Sequence, residues 1–235
     1  MSTSSSSTQP INIRRSIDEG HGADGSETPA LSRDTLAALN EFLSEAQAAA
    51  SEQSNPFSEN WGLSQFWYTE ETAAVLAKEV EEAAGPSGRI ACIACPSLFR
   101  QLRAAHPDAS AHLLEFDPRF EALGNFALYD YREPRAVPED LKGAFRVVVA
   151  DPPYLSEECL RKTLETVKVL AEPSDEGPGL YLLTGATMQK LAKQLLNLRP
   201  TKFRPQHKTK LGNEFYLYAS ADAAAQRLGG WDGGG

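Results

Sequence analysis

Cysteine is scarce in this chain: three occur among 235 residues, Cys92, Cys95 and Cys159. So few thiols exclude a disulfide framework and fit a reducing compartment. Cys92 and Cys95 do form a C-x-x-C, but it lies inside "RIACIAC", which reads as a strand. Residues three apart on a strand point to opposite faces, and no second pair or nearby histidine completes a zinc site, so no metal role is expected. Basic residues are also short: 23 Lys and Arg stand against 32 Asp and Glu, for a net charge of −9. That balance discourages nonspecific attraction to nucleic acid while leaving room for a local basic patch. No apolar run approaches the roughly 18 residues of a membrane span. The N-terminus, "MSTSSSSTQP", lacks the basic start and apolar core of a secretory signal, and Asp18, Glu19 and Asp24 argue against an organelle transit peptide.

What is present has the composition of a soluble globular protein, with 41% hydrophobic and 23% charged residues. Residues 1–30 are rich in Ser, Gly and acids, which predicts a disordered tail. From Leu31 the apolar residues Leu36, Leu39, Phe42 and Leu43 recur at helical spacing, and an accessory helix is expected there. "SEQSNPFSEN" breaks it. An aromatic cluster, "WGLSQFWY", leads into a second helix, with Thr69 as its cap, Glu70 and Glu71 at its positive end, and Gly85-Pro86 to stop it. Strand-like runs then fall at 89–95, 111–116, 125–130, 145–150, 179–185 and 213–220, with helical stretches at 97–105, 156–171 and 187–197. Alternation of this kind predicts an α/β fold, a doubly wound and mostly parallel sheet whose final strand inserts antiparallel. One domain spanning 31–220 is expected, followed by a flexible tail at 221–235 in which Trp231 has no obvious packing partner.

Open α/β sheets bind ligands beyond the carboxyl ends of their strands. Those ends carry Cys95-Pro96-Ser97, then Glu115 and Asp117 in "LLEFDPRF", then Asp130 in "YDYREP", and then Asp151-Pro152-Pro153-Tyr154. Ser97 is placed to cap the following helix. Asp117 follows Cys95 by 22 residues, close to the roughly 20-residue offset at which an acid meets a ribose diol. No G-x-G-x-x-G follows the first strand and no G-x-x-x-x-G-K-[ST] occurs, so NAD, FAD and ATP lose ground to a nucleoside without phosphates, such as S-adenosylmethionine. Asp-Pro-Pro-Tyr offers a carboxylate, a free carbonyl and a ring within one short loop. Two acceptors there can hold the N–H groups of an amine and aim its lone pair, which is what methyl transfer to nitrogen needs. A turn after a strand is the plain alternative for the same residues.

"DPPY" resembles motif IV of the class I, S-adenosylmethionine-dependent amino-methyltransferases. With "LSQFWYTEETAAVLAKEV", "IACIACPSLF", "LLEFDPRF", "YDYREP", "VVVADPPYLSEECLRKT" and "RPTKFRPQHKTKLGNEFYLYA", the chain from about Leu31 to Ser220 is similar to the eukaryotic elongation factor 1-alpha lysine methyltransferase family. The resemblance implies a Rossmann-like fold, S-adenosylmethionine as cofactor, a lysine of elongation factor 1-alpha as substrate, and action in the cytoplasm. It implies Asp151 to Tyr154 at the amine, Asp117 at the ribose, Asp130 near the adenine, and Gln65, Phe66, Trp67 and Tyr68 along the cofactor pocket. Cys95-Pro96-Ser97 departs from the glycines usual in the first loop of such enzymes. "RPTKFRPQHKTK" (199–210) holds no acid and is either a solvated loop or a partner-binding surface. His207 within it has no catalytic partner in sequence. An adenine-N6 methyltransferase using the same clamp, and a silent nucleoside-binding scaffold, are the competing readings; sequence-specific nucleic-acid binding has little support.

Overall fold

A computed structural model describes residues 57–173 and 177–233. The expected tail at 1–30 and the helix from Leu31 lie outside the described residues. Seven strands form one sheet: β1 (Arg89–Ile93), β2 (Ser110–Glu115), β3 (Phe126–Leu128), β4 (Val147–Ala150), β5 (Gly179–Gly185), β6 (Arg199–Pro200) and β7 (Phe215–Ala219). Their order is β3-β2-β1-β4-β5-β7-β6. The first five run parallel, and β7 lies antiparallel between β5 and the two-residue β6. The predicted doubly wound sheet with an antiparallel final strand is therefore what forms.

The strands sort their side chains between two cores. In β4, Val147 and Val149 join one apolar cluster while Val148 and Ala150 join the other; in β1, Ile90 and Cys92 divide from Ala91 and Ile93 in the same way. Both faces are covered, which is why "VVVA" reads as a continuous apolar run. Helix α1 (Glu70–Ala84) buries Ala73, Leu76, Ala77, Val80 and Ala84, one stripe at helical spacing, and Thr69 caps it by accepting from the Thr72 amide. Helix α2 (Pro96–Ala105) packs on the same side. Helices α3 (Glu157–Leu170) and α4 (Gln189–Leu196) cover the opposite side. No helix among the described residues is long and apolar enough to cross a membrane.

The stretch beyond Ser220 departs from its reading as a flexible tail. Asp222–Arg227 forms helix α5, which buries Ala224 and Ala225, and Arg227 makes paired hydrogen bonds of 2.8 and 2.7 Å to the buried Glu79 of α1. Trp231 bridges to Thr201, donates to Asp222 at 2.8 Å and lies 4.0 Å beneath the Arg199 guanidinium. Asp222 apart, these partners come from far along the chain, so glycine-rich composition gave no hint of them.

Candidate active site

Parallel strands deliver their carboxyl ends to one edge of the sheet. A cavity of about 640 Å³ opens there, within the size range of small-molecule sites. Its lining includes Ala94 to Ser97 after β1, Glu115 and Phe116 at the end of β2, Tyr129 to Arg132 after β3, and Asp151 to Leu155 after β4. Because β7 runs antiparallel to β5, with Phe215 opposite Gly185, the segment leading into β7 arrives at this same edge. It adds His207, Leu211, Gly212, Asn213 and Phe215 to the wall, and Gln65, Phe66 and Trp67 close the cavity from the N-terminal side.

The exit from β1 is unusual. Ala94 takes a left-handed backbone conformation, φ 52°, where glycine would be unstrained. Its amide donates to the Leu114 carbonyl at 2.8 Å, which fixes the turn. This turn also corrects the expected placement of the cysteines. The strand ends at Ile93, and the left-handed residue swings Cys95 back into the same core cluster as Cys92. Burial pushes the Cys95 thiol well above its ordinary range. Helix α2 starts one residue earlier than expected, at Pro96 with Cys95 in the cap position, so Ser97 is not the cap.

Two carboxylates near the end of β2 have different surroundings. Glu115 faces the cavity, accepts from Gln65 Nε2 and the Asp117 amide at 3.2 Å each, and is pushed above the usual carboxylate range by burial. Asp117 does not line the cavity. Arg119 holds it through Nε at 2.8 Å, Nη2 at 2.7 Å and its amide at 3.0 Å, with Gln65 Nε2 at 3.2 Å. Burial would raise its pKa, but those hydrogen bonds prevail and lower it. Asp130 does face the cavity, paired with Arg132, whose hydrogen bonds hold its carboxyl below the usual range.

Asp151, Pro152, Pro153 and Tyr154 all line the cavity, with the Tyr154 ring edge-on to Tyr131 at 5.9 Å. Asp151 is pushed up to about 7, first by burial and then by the charge of Glu115, against the pull of a hydrogen bond from Tyr68. That bond runs 2.6 Å to Oδ2 from Tyr68, which is 2% exposed and outside the cavity lining. Trp67 lines the cavity and meets Phe120 edge-on at 5.9 Å. His207 packs 4.6 Å from the Tyr68 ring and 4.9 Å from Phe215. Tyr131, His207 and the 211–215 segment were not legible as wall residues, because only the reversed direction of β7 brings the last two there.

Residues 59–223 match the family model described as "Probable N6-adenine methyltransferase". The chain is 44% identical to EEF1A lysine methyltransferase 1 of Mus musculus, over 84% of this chain and 94% of the relative. It is 45% identical to the Gallus gallus protein of the same name (84% and 96%), and 32% identical to protein-lysine N-methyltransferase EFM5 of Saccharomyces cerevisiae (84% and 94%). Among solved structures, the branched-chain polyamine synthase of Thermus thermophilus shares the fold, with a TM-score of 0.53 at 18% identity over 74% of this chain and 62% of that one.

Proposed function

The chain belongs to the EEF1A lysine methyltransferase 1 family, and from that premise we propose that it methylates a lysine of EEF1A in the cytoplasm, using S-adenosylmethionine. The observation that carries this reading is a cavity at the carboxyl edge of the sheet lined by three carboxylates, Glu115 at the end of β2, Asp130 after β3 and Asp151 after β4. The donor set fits a nucleoside cofactor. Glu115 would accept from the ribose hydroxyls, Asp130 and Tyr129 would hold the base, and Ala94 to Ser97 with Gln65 and Trp67 would supply the remaining wall. Asp117, which does not line the cavity, would support the ribose site from behind by holding Gln65. When bound, the cofactor supplies an electrophilic methyl group on a sulfonium.

The chain's own residues then have to present an amine. A lysine ammonium, with a pKa near 10.4 in water, has no lone pair until it loses a proton. Tyr154 and Tyr131, both lining the cavity, would flank the incoming side chain, and displacement of water by it would favour the neutral amine. The Asp151 carboxylate and the Pro152 carbonyl are acceptors for its N–H groups, and the two prolines hold that loop stiff. Asp151 is a better proton acceptor than an ordinary aspartate, since burial has moved it to about 7. Its main work is orientation.

The test is transfer of labelled methyl to purified EEF1A and, separately, to DNA, with Asp151→Ala as control. Label on EEF1A that the variant abolishes supports the proposal. Label on DNA alone would transfer the assignment to adenine-N6 methylation.

A further inference from the structure

Tyr68 has a special position in this fold. It is buried, it does not line the cavity, and its hydroxyl donates to Asp151 Oδ2 at 2.6 Å across 83 residues of sequence. Among the described residues no other hydrogen bond reaches the Asp151 carboxylate. One oxygen is therefore held from behind, and Oδ1 is left for whatever enters the cavity.

The backbone on both sides of Tyr68 is pinned. The Thr69 amide donates to the Gln206 carbonyl at 2.9 Å, and the Lys208 amide donates to the Trp67 carbonyl at 2.8 Å, so 67–69 pairs antiparallel with 206–208. The Trp67 amide is held by Glu59 at 2.7 Å, and Thr69 is already committed as the cap of α1. His207 presses its ring on Tyr68 and is itself backed by Phe215. A ring this constrained fixes the position of the phenol oxygen, 2.6 Å from Asp151 Oδ2.

We propose that Tyr68 is a positioning residue for Asp151, and that the 206–208 strap, through His207, holds Tyr68 in that role. The proposal builds on the reading of Asp151 as the amine clamp. It reassigns Tyr68 from the cofactor wall to a brace behind the DPPY loop. The groups facing Asp151 are Tyr68 from the N-terminal segment, Glu115 from the end of β2 and the Cys95 thiol from the β1 exit. Of these only Tyr68 donates a hydrogen bond to the carboxylate, so only its loss should raise the Asp151 pKa further.

The experiment is a kcat–pH profile of Tyr68→Phe in the full chain, with EEF1A as substrate, beside titration of S-adenosylhomocysteine binding. A hydrogen bond to an ionised group is worth enough for kcat to fall about ten- to a hundredfold and for the acid limb to move up by about one pH unit. Cofactor affinity should stay within about twofold. His207→Ala, which leaves the hydroxyl in place but removes its support, should move the limb in the same direction by less, and it serves as the test should Tyr68→Phe fail to fold. A lower kcat with an unmoved limb would reduce Tyr68 to packing and overturn the proposal. Lost cofactor binding with intact kcat would return it to the cofactor wall. Absence of transfer by the unaltered chain would instead overturn the amine-clamp reading, so the two failures are separable.

Discussion

Glu115 and Asp117 are two residues apart, and neutralising each should produce opposite phenotypes. In Glu115→Gln, the amide oxygen still accepts from Gln65 and the Asp117 amide, so the local frame survives. What disappears is a charged acceptor facing the cavity. Losing one charge-assisted hydrogen bond to a ribose hydroxyl costs about 1.5–3 kcal/mol, which corresponds to roughly ten- to a hundredfold weaker cofactor binding. The fold should not suffer, because burial penalises the ionised form of Glu115 and glutamine relieves that. Asp117→Asn removes the charge that Arg119 grips with three donors. The Arg119 side chain is 36% exposed, so solvent screening limits the loss to about 1–2 kcal/mol, or a melting temperature lower by roughly 2–6 °C. Titration calorimetry with S-adenosylhomocysteine and thermal melting read the two effects separately. Weak binding by Asp117→Asn with an unchanged melt, beside normal binding by Glu115→Gln, would refute the reasoning.

Three further outcomes follow from the same structure. Asp151, raised to about 7 in the folded state against 3.8 for the ordinary side chain, makes the folded chain hold a proton that the unfolded chain releases. Its contribution is therefore lost as pH rises from about 4 to 7; Asp151→Asn should out-melt the parent at pH 8 by an amount on the order of 2–4 kcal/mol and match it near pH 4. Arg227→Ala leaves the buried Glu79 carboxylate without its cation, and urea unfolding should show about 2–3 kcal/mol lost, partly restored by adding Glu79→Gln. Lys208 and Lys210 are exposed and adjoin in sequence the wall residues His207 and Leu211. Steady-state kinetics of Lys208→Glu/Lys210→Glu should show a severalfold higher KM for EEF1A, unchanged cofactor affinity, and an effect that fades with added salt.

Much of the sheet was legible because its strands are buried on both faces and interrupted by turn residues; "VVVADPPY" announces both a central strand and its exit. The three acids at strand ends were legible for the same reason. Which of Glu115 and Asp117 faces the cavity was not, since that depends on Arg119 and Gln65 capturing the second carboxylate. The role of Tyr68 was hidden more deeply. Its partner lies 83 residues away and its support comes from a segment after Arg199, joined only by backbone pairing. The return of Cys95 to the Cys92 side depends on one left-handed alanine, which residue type alone does not announce.

The most direct test of the roles given to Glu115 and Asp151 is a crystal structure with S-adenosylhomocysteine and a peptide bearing the target lysine of EEF1A. The account predicts ribose hydroxyls on Glu115, Asp117 still gripped by Arg119, and the lysine nitrogen on Asp151 Oδ1 while Tyr68 keeps Oδ2. Ribose on Asp117, or a lysine nitrogen far from Asp151, would contradict it.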